Sequence, residues 1–506
     1  MQTISGQYGR GRRLVAGAMT AGLLASAGIA SAGKAGAAEK SPPVNPRTVL
    51  AAQATPGVQL IQTVYSAHLA VPKPVIDDNA IDNLFAAVET KAENGQISAD
   101  DNSIANAIVT AIDNDPLTYL KPTDELRTKD AQITGLGTGW VVTPDGYIVT
   151  AAHVVNPGQD ELKSQFAGGA LDEFNKEDAQ EIAATNDSLS GDQLAKLVEA
   201  GAKFNAHYLK ISDIKTSVSA QLGVAVAGLG KGQKGQRAEI LDVGEPFPGK
   251  DVAILKIDGQ NNLPTIPVGD DADVNEGDTL YVTGYPYAST FASGLSDDST
   301  VQPTVTEGPL SAKKANKAGT PIFQTQAPAS PGNSGGPVLD AAGKAVGILV
   351  AGATDDNGTQ IQGQEFVMPI SVVKEKLNEK NVHPAQSLST TVYNTGIDNY
   401  YKHYYKRALK NFQQAQALYP GHPFAGKYIS DSQTAITQGK DKTPGGSKTG
   451  LLAGVGAAVV VVIGGGLGLL FGLRSRRRNK VTAAAAAPPV AVPAWPPREA
   501  AEQPAA

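Results

Sequence analysis

One stretch constrains this chain more than any other: Ala329-Ser330-Pro331-Gly332-Asn333-Ser334-Gly335-Gly336-Pro337-Val338. Ser334 sits there among three glycines and two prolines. Glycine permits backbone angles that a side chain forbids, and it lets another chain come close to the main chain. Such a turn can present a hydroxyl at its apex. The N–H groups of Gly332, Asn333 and Ser334 can then converge on an oxygen that gains negative charge. Taken alone, the stretch also reads as an ordinary Gly/Ser/Pro connection between two strands. Two upstream stretches make it informative.

The first is Thr150-Ala151-Ala152-His153-Val154-Val155, which follows an expected hairpin over 139–149 with an Asp145-Gly146 turn. The second is Gly249-Lys250-Asp251-Val252-Ala253-Ile254-Leu255-Lys256-Ile257-Asp258, an aspartate just before an apolar strand. A serine hydroxyl is a poor nucleophile at neutral pH. An imidazole must take its proton, and a carboxylate must hold that imidazole in the right tautomer. His153, Asp251 and Ser334 supply these three roles in the chain order His, Asp, Ser. Asp258, at the end of the same apolar run, is the nearest competitor for the carboxylate role.

With Thr-Ala-Ala-His at 150–153, Asp-Val-Ala-Ile-Leu-Lys at 251–256 and Gly-Asn-Ser-Gly-Gly-Pro at 332–337, the chain resembles the trypsin-like (chymotrypsin-fold) serine proteases, nearest the Deg/HtrA branch. Further echoes are Val-Gly-Asp at 268–270, Thr-Gly-Tyr-Pro at 283–286 and Phe-Val-Met-Pro at 366–369, so the resemblance runs from about residue 56 to 380. It implies a mainly β fold of two antiparallel six-stranded barrels and hydrolysis of protein or peptide substrates without a cofactor. Ser334 would attack the peptide carbonyl, His153 would act as general base and then acid, and Asp251 would orient His153. Gly332, Asn333 and Ser334 would form the oxyanion hole. The resemblance also implies that the strand Gly347, Ile348, Leu349, Val350, Ala351, Gly352 pairs with the substrate and lines the specificity pocket. Residues Gln326 to Ser330 offer that pocket no fixed charge. The peptide-binding PDZ pattern that would normally begin near residue 385 in this branch is not visible.

Composition narrows the alternatives. The net charge of −6 leaves little support for nucleic-acid binding. The absence of cysteine excludes disulfides, thiolate metal sites and cysteine nucleophiles. Asp270, Asp271, Asp273, Asn275, Glu276, Gly277 and Asp278 look like a calcium loop, but the glycine falls one place late and no helix pair flanks it. The reading contains no metal.

The chain ends carry their own expectations. Arg10, Arg12 and Arg13 precede an apolar run from Leu14 to Ala32 and small residues at Ala30-Ser31-Ala32 and Ala35-Gly36-Ala37, the pattern of a signal peptide over 1–37. A linker over 38–55 leads to a first strand at Val58–Tyr65. Helical periodicity at Ile81, Leu84, Phe85, Val88 and at Ile104, Ile108, Ile112 marks an insertion over about 77–113. A larger one separates His153 from Asp251, which stand 98 residues apart; residues 159–204 read as helical, either a cap over barrel surface or a lid beside the site. Ser190 and Gln193 there form a capping-box pattern.

Residues 386–437 are expected as a helical hairpin resembling one tetratricopeptide repeat, a candidate surface for a protein partner. After a linker at 438–449, the uncharged run Leu451–Leu473 is long enough for a transmembrane helix. Arg474, Arg476, Arg477, Arg478 and Lys480 then place the 474–506 tail in the cytoplasm, with the protease domain outside the membrane. The competing reading is a catalytically silent, membrane-anchored scaffold that binds peptides.

Overall fold

The computed structural model describes residues 44–186, 188–222, 235–290, 302–354 and 360–444. The expected signal peptide and the apolar run 451–473 lie outside the described residues. Among the described residues no helix is long and apolar enough to cross a membrane. The expectation of a transmembrane helix in this fold is corrected accordingly.

Helix α1 (Pro46–Ala54) starts where Asn45 accepts the Arg47 N–H at 2.9 Å and proline occupies the first turn, a position that needs no N–H donor. Strand β1 (Val58–Ile76) follows, with burial alternating along its middle as one face meets the core. Between β1 and its partner lie α2 (Asp78–Glu93), α3 (Asp101–Asn114) and the single turn α4 (Pro116–Tyr119). Asp77 and Asp100 cap the first two of these through their carboxylates. Strand β2 (Leu120–Val141) returns antiparallel along β1, from Ile76↔Leu120 to Val58↔Trp140, with one irregularity between Pro72 and Pro74. Proline cannot donate to the ladder, which accounts for the break there. The expected first strand, Val58–Tyr65, is therefore only the first part of a long strand that also pairs, from Leu60 to Ala70, with the strand Lys210–Gln221 on its other edge.

Strand β3 (Tyr147–Thr150), the single turn α5 (Ala152–Val155), α6 (Gln159–Thr185), α7 (Gly191–Tyr208), β4 (Lys210–Gln221), β5 (Gln236–Val243) and β6 (Ala253–Lys256) complete the first half. Its strands close in the order β1-β2-β3-β6-β5-β4. The second half holds β7 (Thr279–Gly284), the single turn α8 (Tyr287–Thr290), β8 (Thr304–Ala315), β9 (Pro321–Thr325), β10 (Pro337–Leu339), β11 (Ala345–Thr354) and β12 (Gln360–Pro369). These close in the order β10-β11-β12-β9-β8-β7. Two closed six-stranded antiparallel barrels fit the expected chymotrypsin-like architecture. Trp140, Ile148, Ile254 and Leu255 are fully buried in the first barrel, and Leu280, Val282, Leu310 and Val338 in the second. Each such side chain contributes about 1.5–3 kcal/mol by leaving water.

The larger insertion packs on strands of the first barrel: Phe166, Ala170 and Phe174 of α6 meet Tyr65, Leu69 and Val71 of β1. The two insertions also bind each other: Gln193 donates to Asn102 Oδ1 at 3.0 Å, Lys196 to Asn106 Oδ1 at 2.9 Å, and Lys203 to Asp113 Oδ1 at 2.7 Å. The capping box of Ser190 and Gln193 is present at the start of α7. Gly168 and Gly169 lie exposed within α6, and a Cβ at either would meet nothing within 4 Å. The double variant Gly168→Ala/Gly169→Ala is expected to gain about 1–2 kcal/mol, since a helix-interior glycine loses more backbone entropy than alanine. Urea denaturation measures this; an unchanged or lower midpoint would show that α6 needs a flexible pair there.

After the barrels come α9 (Ile370–Glu379), α10 (Leu388–Tyr401), α11 (Tyr405–Leu418) and α12 (Ala425–Thr437). The expected C-terminal hairpin is thus a three-helix unit. Its core is aromatic: Tyr393 lies 5.5 Å from Phe412, and Tyr428 stacks 5.0 Å from Phe412. Burial there pushes the Tyr393 phenol well up and holds the His422 imidazole down, at about 3. The unit is joined to the chain leading out of the first barrel through Thr390, whose hydroxyl accepts the Thr265 N–H at 2.8 Å, and Ser387, whose N–H donates to Thr265 Oγ1 at 2.9 Å.

Candidate active site

Strand pairing brings His153 and Asp251 together. β3 and β6 run antiparallel with Thr150 opposite Ala253, so the chain just after β3 and just before β6 leaves the sheet at the same end. His153 lies on α5 and Asp251 two residues before β6. Asp251 is fully buried. Its Oδ2 lies 2.7 Å from His153 Nδ1, and its Oδ1 accepts the His153 backbone N–H at 2.9 Å. A carboxylate can only accept, so Nδ1 carries the proton and Nε2 is left as the basic nitrogen. The imidazole keeps 30% of its side-chain surface exposed, open to a reactant. Asp258, by contrast, is 91% exposed and pairs with Lys256 at 3.5 Å, away from the imidazole.

Ser334 lies in the connection between β9 and β10. Gly332 and Gly335 have φ of +99° and +82°, angles that favour glycine. A Cβ at Gly332 would fall 2.3 Å from Tyr285 O, and one at Gly335 would fall 2.3 Å from both Thr138 O and Thr150 Oγ1. These positions are closed to any side chain on both counts. Almost every peptide of the turn is held. Pro331 O accepts the Tyr287 N–H at 2.7 Å, Asn333 N–H goes to Ser330 O at 3.0 Å, and Asn333 O accepts the Gly336 N–H at 2.9 Å. Ser334 O accepts the Thr138 N–H at 2.8 Å, and the Gly335 N–H goes to Leu349 O at 2.7 Å. Among the described residues the N–H groups of Gly332 and Ser334 have no acceptor, whereas that of Asn333 does. Of the three expected donors, two are therefore free.

Thr138 and Thr150 were missed by the sequence reading. Thr150 Oγ1 donates to Thr138 O at 2.7 Å, and Thr138 Oγ1 donates to Gly332 O at 2.7 Å while accepting the Tyr285 N–H at 3.0 Å. The structure joins His153 to Asp251 directly, and it brings Ser334 to the same seam through these threonines. The available signal was Gly137 and Gly139 flanking Thr138: a Cβ at either would overlap Val154 or Ile148, so β2 is built for close approach just there. Tyr285, which lines the seam, is buried, and desolvation pushes its phenol up; it donates to Val58 O at 3.4 Å.

The strand Gly347–Gly352 lies in β11. Leu349 is tied to the turn that carries Ser334 at both its N–H and its carbonyl, and Ile348 is wholly buried in the core. The pairing with β12 slips at Val350, between Leu349↔Val367 and Ala351↔Phe366. Val350 is buried, whereas Ala351 and Gly352 are half-buried.

Residues 137–348, which carry all three catalytic candidates, match the trypsin-like peptidase domain family. This match and the Deg/HtrA relatives support a trypsin-like serine protease near the Deg/HtrA branch. A "probable periplasmic serine endoprotease DegP-like" of Pseudomonas fluorescens is 35% identical over 135 residues, 26% of this chain and 25% of that protein. The protein so named in Pseudomonas savastanoi pv. phaseolicola is 26% identical over 254 residues, 50% of this chain and 36% of that one. The chain thus spans between a quarter and about a third of the length of these curated relatives. Among solved structures, HtrA-type protease AlgW with tripeptide is 22% identical, covers 49% of this chain and 56% of its own, and has a TM-score of 0.29. The matched residues run from the end of β2 to the start of β11; β1, most of β2, β12 and the C-terminal helices lie outside them.

Proposed function

We propose that this protein is an extracytoplasmic serine endopeptidase that hydrolyses peptide bonds of protein substrates. The observation that carries the reading is the buried Asp251, bonded twice to His153, beside a Gly-Asn-Ser-Gly-Gly turn whose free N–H groups belong to Gly332 and Ser334. Ser334 Oγ attacks the carbonyl carbon as His153 Nε2 takes its proton. The tetrahedral oxyanion is held by the Gly332 and Ser334 N–H groups. His153 then protonates the leaving amine, and water repeats the sequence in reverse to release the acid. Asp251 stabilises the imidazolium without itself being protonated. Ala351 and Gly352 offer backbone to an extended substrate strand. The extracytoplasmic placement draws on the periplasmic relatives.

A fluorophosphonate probe tests the reading. It should label the wild-type protein and leave Ser334→Ala unlabelled. A wild type that stays unlabelled while folded would favour the scaffold reading instead.

A further inference from the structure

We infer that the Thr138 hydroxyl is a positioning group for the nucleophile turn, setting the direction of the two N–H groups that receive the oxyanion. The inference rests on the endopeptidase reading above. Thr138 is fully buried, and each of its polar groups is used. Its N–H holds Ser334 O at 2.8 Å, its carbonyl accepts from Thr150 Oγ1 at 2.7 Å, and its hydroxyl both donates to Gly332 O at 2.7 Å and accepts from Tyr285 N–H at 3.0 Å. A hydroxyl with its one proton given and a lone pair taken has a fixed rotor.

The geometry of the turn shows why this matters. Peptide units are planar, so holding a carbonyl fixes the N–H on its other side. The unit that carries the Ser334 N–H lies between two others, Gly332–Asn333 and Ser334–Gly335. Thr138 holds the carbonyl of each: the first by its hydroxyl, the second by its N–H. Among the described residues, that hydroxyl is the only side chain bonded to residues 331–335. The N–H bond survives any substitution except proline; the hydroxyl bond does not. Without it, Gly332 O and the Tyr285 N–H are both buried and unpaired, and the Gly332–Asn333 peptide can rotate to find another donor. That rotation carries the neighbouring N–H groups off the oxyanion position. Loss of one such donor lowers the chemical step by about 10²–10³-fold, and partial misalignment should cost less.

Thr138→Val, close in shape and lacking the hydroxyl, is compared with Thr138→Ser, which keeps it, using diisopropyl fluorophosphate as the probe. The inactivation rate constant at saturation reads the chemical step, and the half-saturating concentration reads binding. Thr138→Val should lower the first by about 10–100-fold with the second within twofold, and Thr138→Ser should stay within threefold of wild type on both. Equal rate constants for Thr138→Val and wild type would overturn the inference, as would a loss in Thr138→Ser as deep as in Thr138→Val. If Thr138→Val does not fold, Thr138→Cys replaces it, a thiol being a weak donor; the inference then requires a fall in Thr138→Cys that Thr138→Ser does not share, and parity between the two overturns it. A wild type inert to the probe overturns the endopeptidase reading and this inference with it, whereas a reactive wild type with an equally reactive Thr138→Val overturns this inference alone.

Discussion

Asp251→Asn is expected to lower kcat by about 10⁴-fold while the protein stays folded. Asn has nearly the shape of Asp but one acceptor oxygen instead of two. Asp251 now serves two donors of His153, the backbone N–H at 2.9 Å and Nδ1 at 2.7 Å. In the variant, the amide oxygen can satisfy the backbone N–H while its NH₂ faces Nδ1. That arrangement requires Nδ1 to accept, so the proton moves to Nε2, the nitrogen that must be free to deprotonate Ser334. The imidazolium also loses its counter-charge. Asp258→Asn serves as the control, because that carboxylate is 91% exposed and, among the described residues, pairs only with Lys256. Turnover and thermal melting of both variants check the assignment. Near-normal turnover in Asp251→Asn, with loss in Asp258→Asn, would move the carboxylate role to Asp258.

The pair His153 and Asp251 was legible because each sits within three residues of a short buried strand, and adjacent antiparallel strands deliver their ends to one place. The helices of the insertions were legible for a similar local reason. Phe166, Ala170 and Phe174 repeat at the helical period, and Ser190 with Gln193 is a local capping signal. What escaped depends on partners distant in the chain. Nothing near Tyr65 says that β1 continues to Ile76, since its last third, with Pro72 and Pro74, reads as a strand breaker. Its continuation is supported by β2, by β4 as far as Ala70, and by α6, whose Phe174 also receives Arg127 and Lys129 over its ring at 5.4 and 5.1 Å. The docking of the two insertions rests on Lys196 and Lys203, residues that look like ordinary solvated helix charges until their partners 86–90 residues away are known.

The C-terminal unit shows the same limit from the other side. Gly396, Ala408 and Phe412 fit one repeat of two helices, and in the structure Gly396 does let α10 approach the Phe412 ring, where a Cβ would fall 2.7 Å from Cε1. The third helix, α12, begins after Pro423 and buries only Ala425, Ser432 and Ala435, too weak a stripe to announce itself. It belongs to the unit because Tyr428 fills the space between Tyr400 and Phe412, at 5.0 Å from each. For the site, Thr138 is the equivalent case: a buried polar residue whose role is set by a turn almost 200 residues further on, 194 for Gly332.

Gly335→Ala is expected to remove activity and to destabilise the protein by well over the usual cost of a left-handed alanine. Two effects add at this position. The backbone angle φ of +82° costs a non-glycine residue about 1–2 kcal/mol. The new Cβ would also lie 2.3 Å from Thr138 O, 2.3 Å from Thr150 Oγ1 and 2.6 Å from Ala151 N, where the first and third are backbone atoms of buried strand ends that cannot step aside. Relief requires the nucleophile turn to move away from β2 and from the segment leading to His153, which breaks the Ser334 O bond to Thr138 and separates the nucleophile from its base. Gly277→Ala isolates the first effect: its φ is +95°, yet a Cβ there meets nothing within 4 Å. Urea denaturation should place Gly277→Ala about 1–2 kcal/mol below wild type with full labelling by a fluorophosphonate. Gly335→Ala should fall several kcal/mol below wild type, and any folded fraction should label at least about 100-fold more slowly, since an ångström of misplacement costs about that much. Matching stability and labelling in the two variants would mean that the turn has room the strand ends do not leave it, and that the seam between Ser334 and His153 is looser than its hydrogen bonds imply.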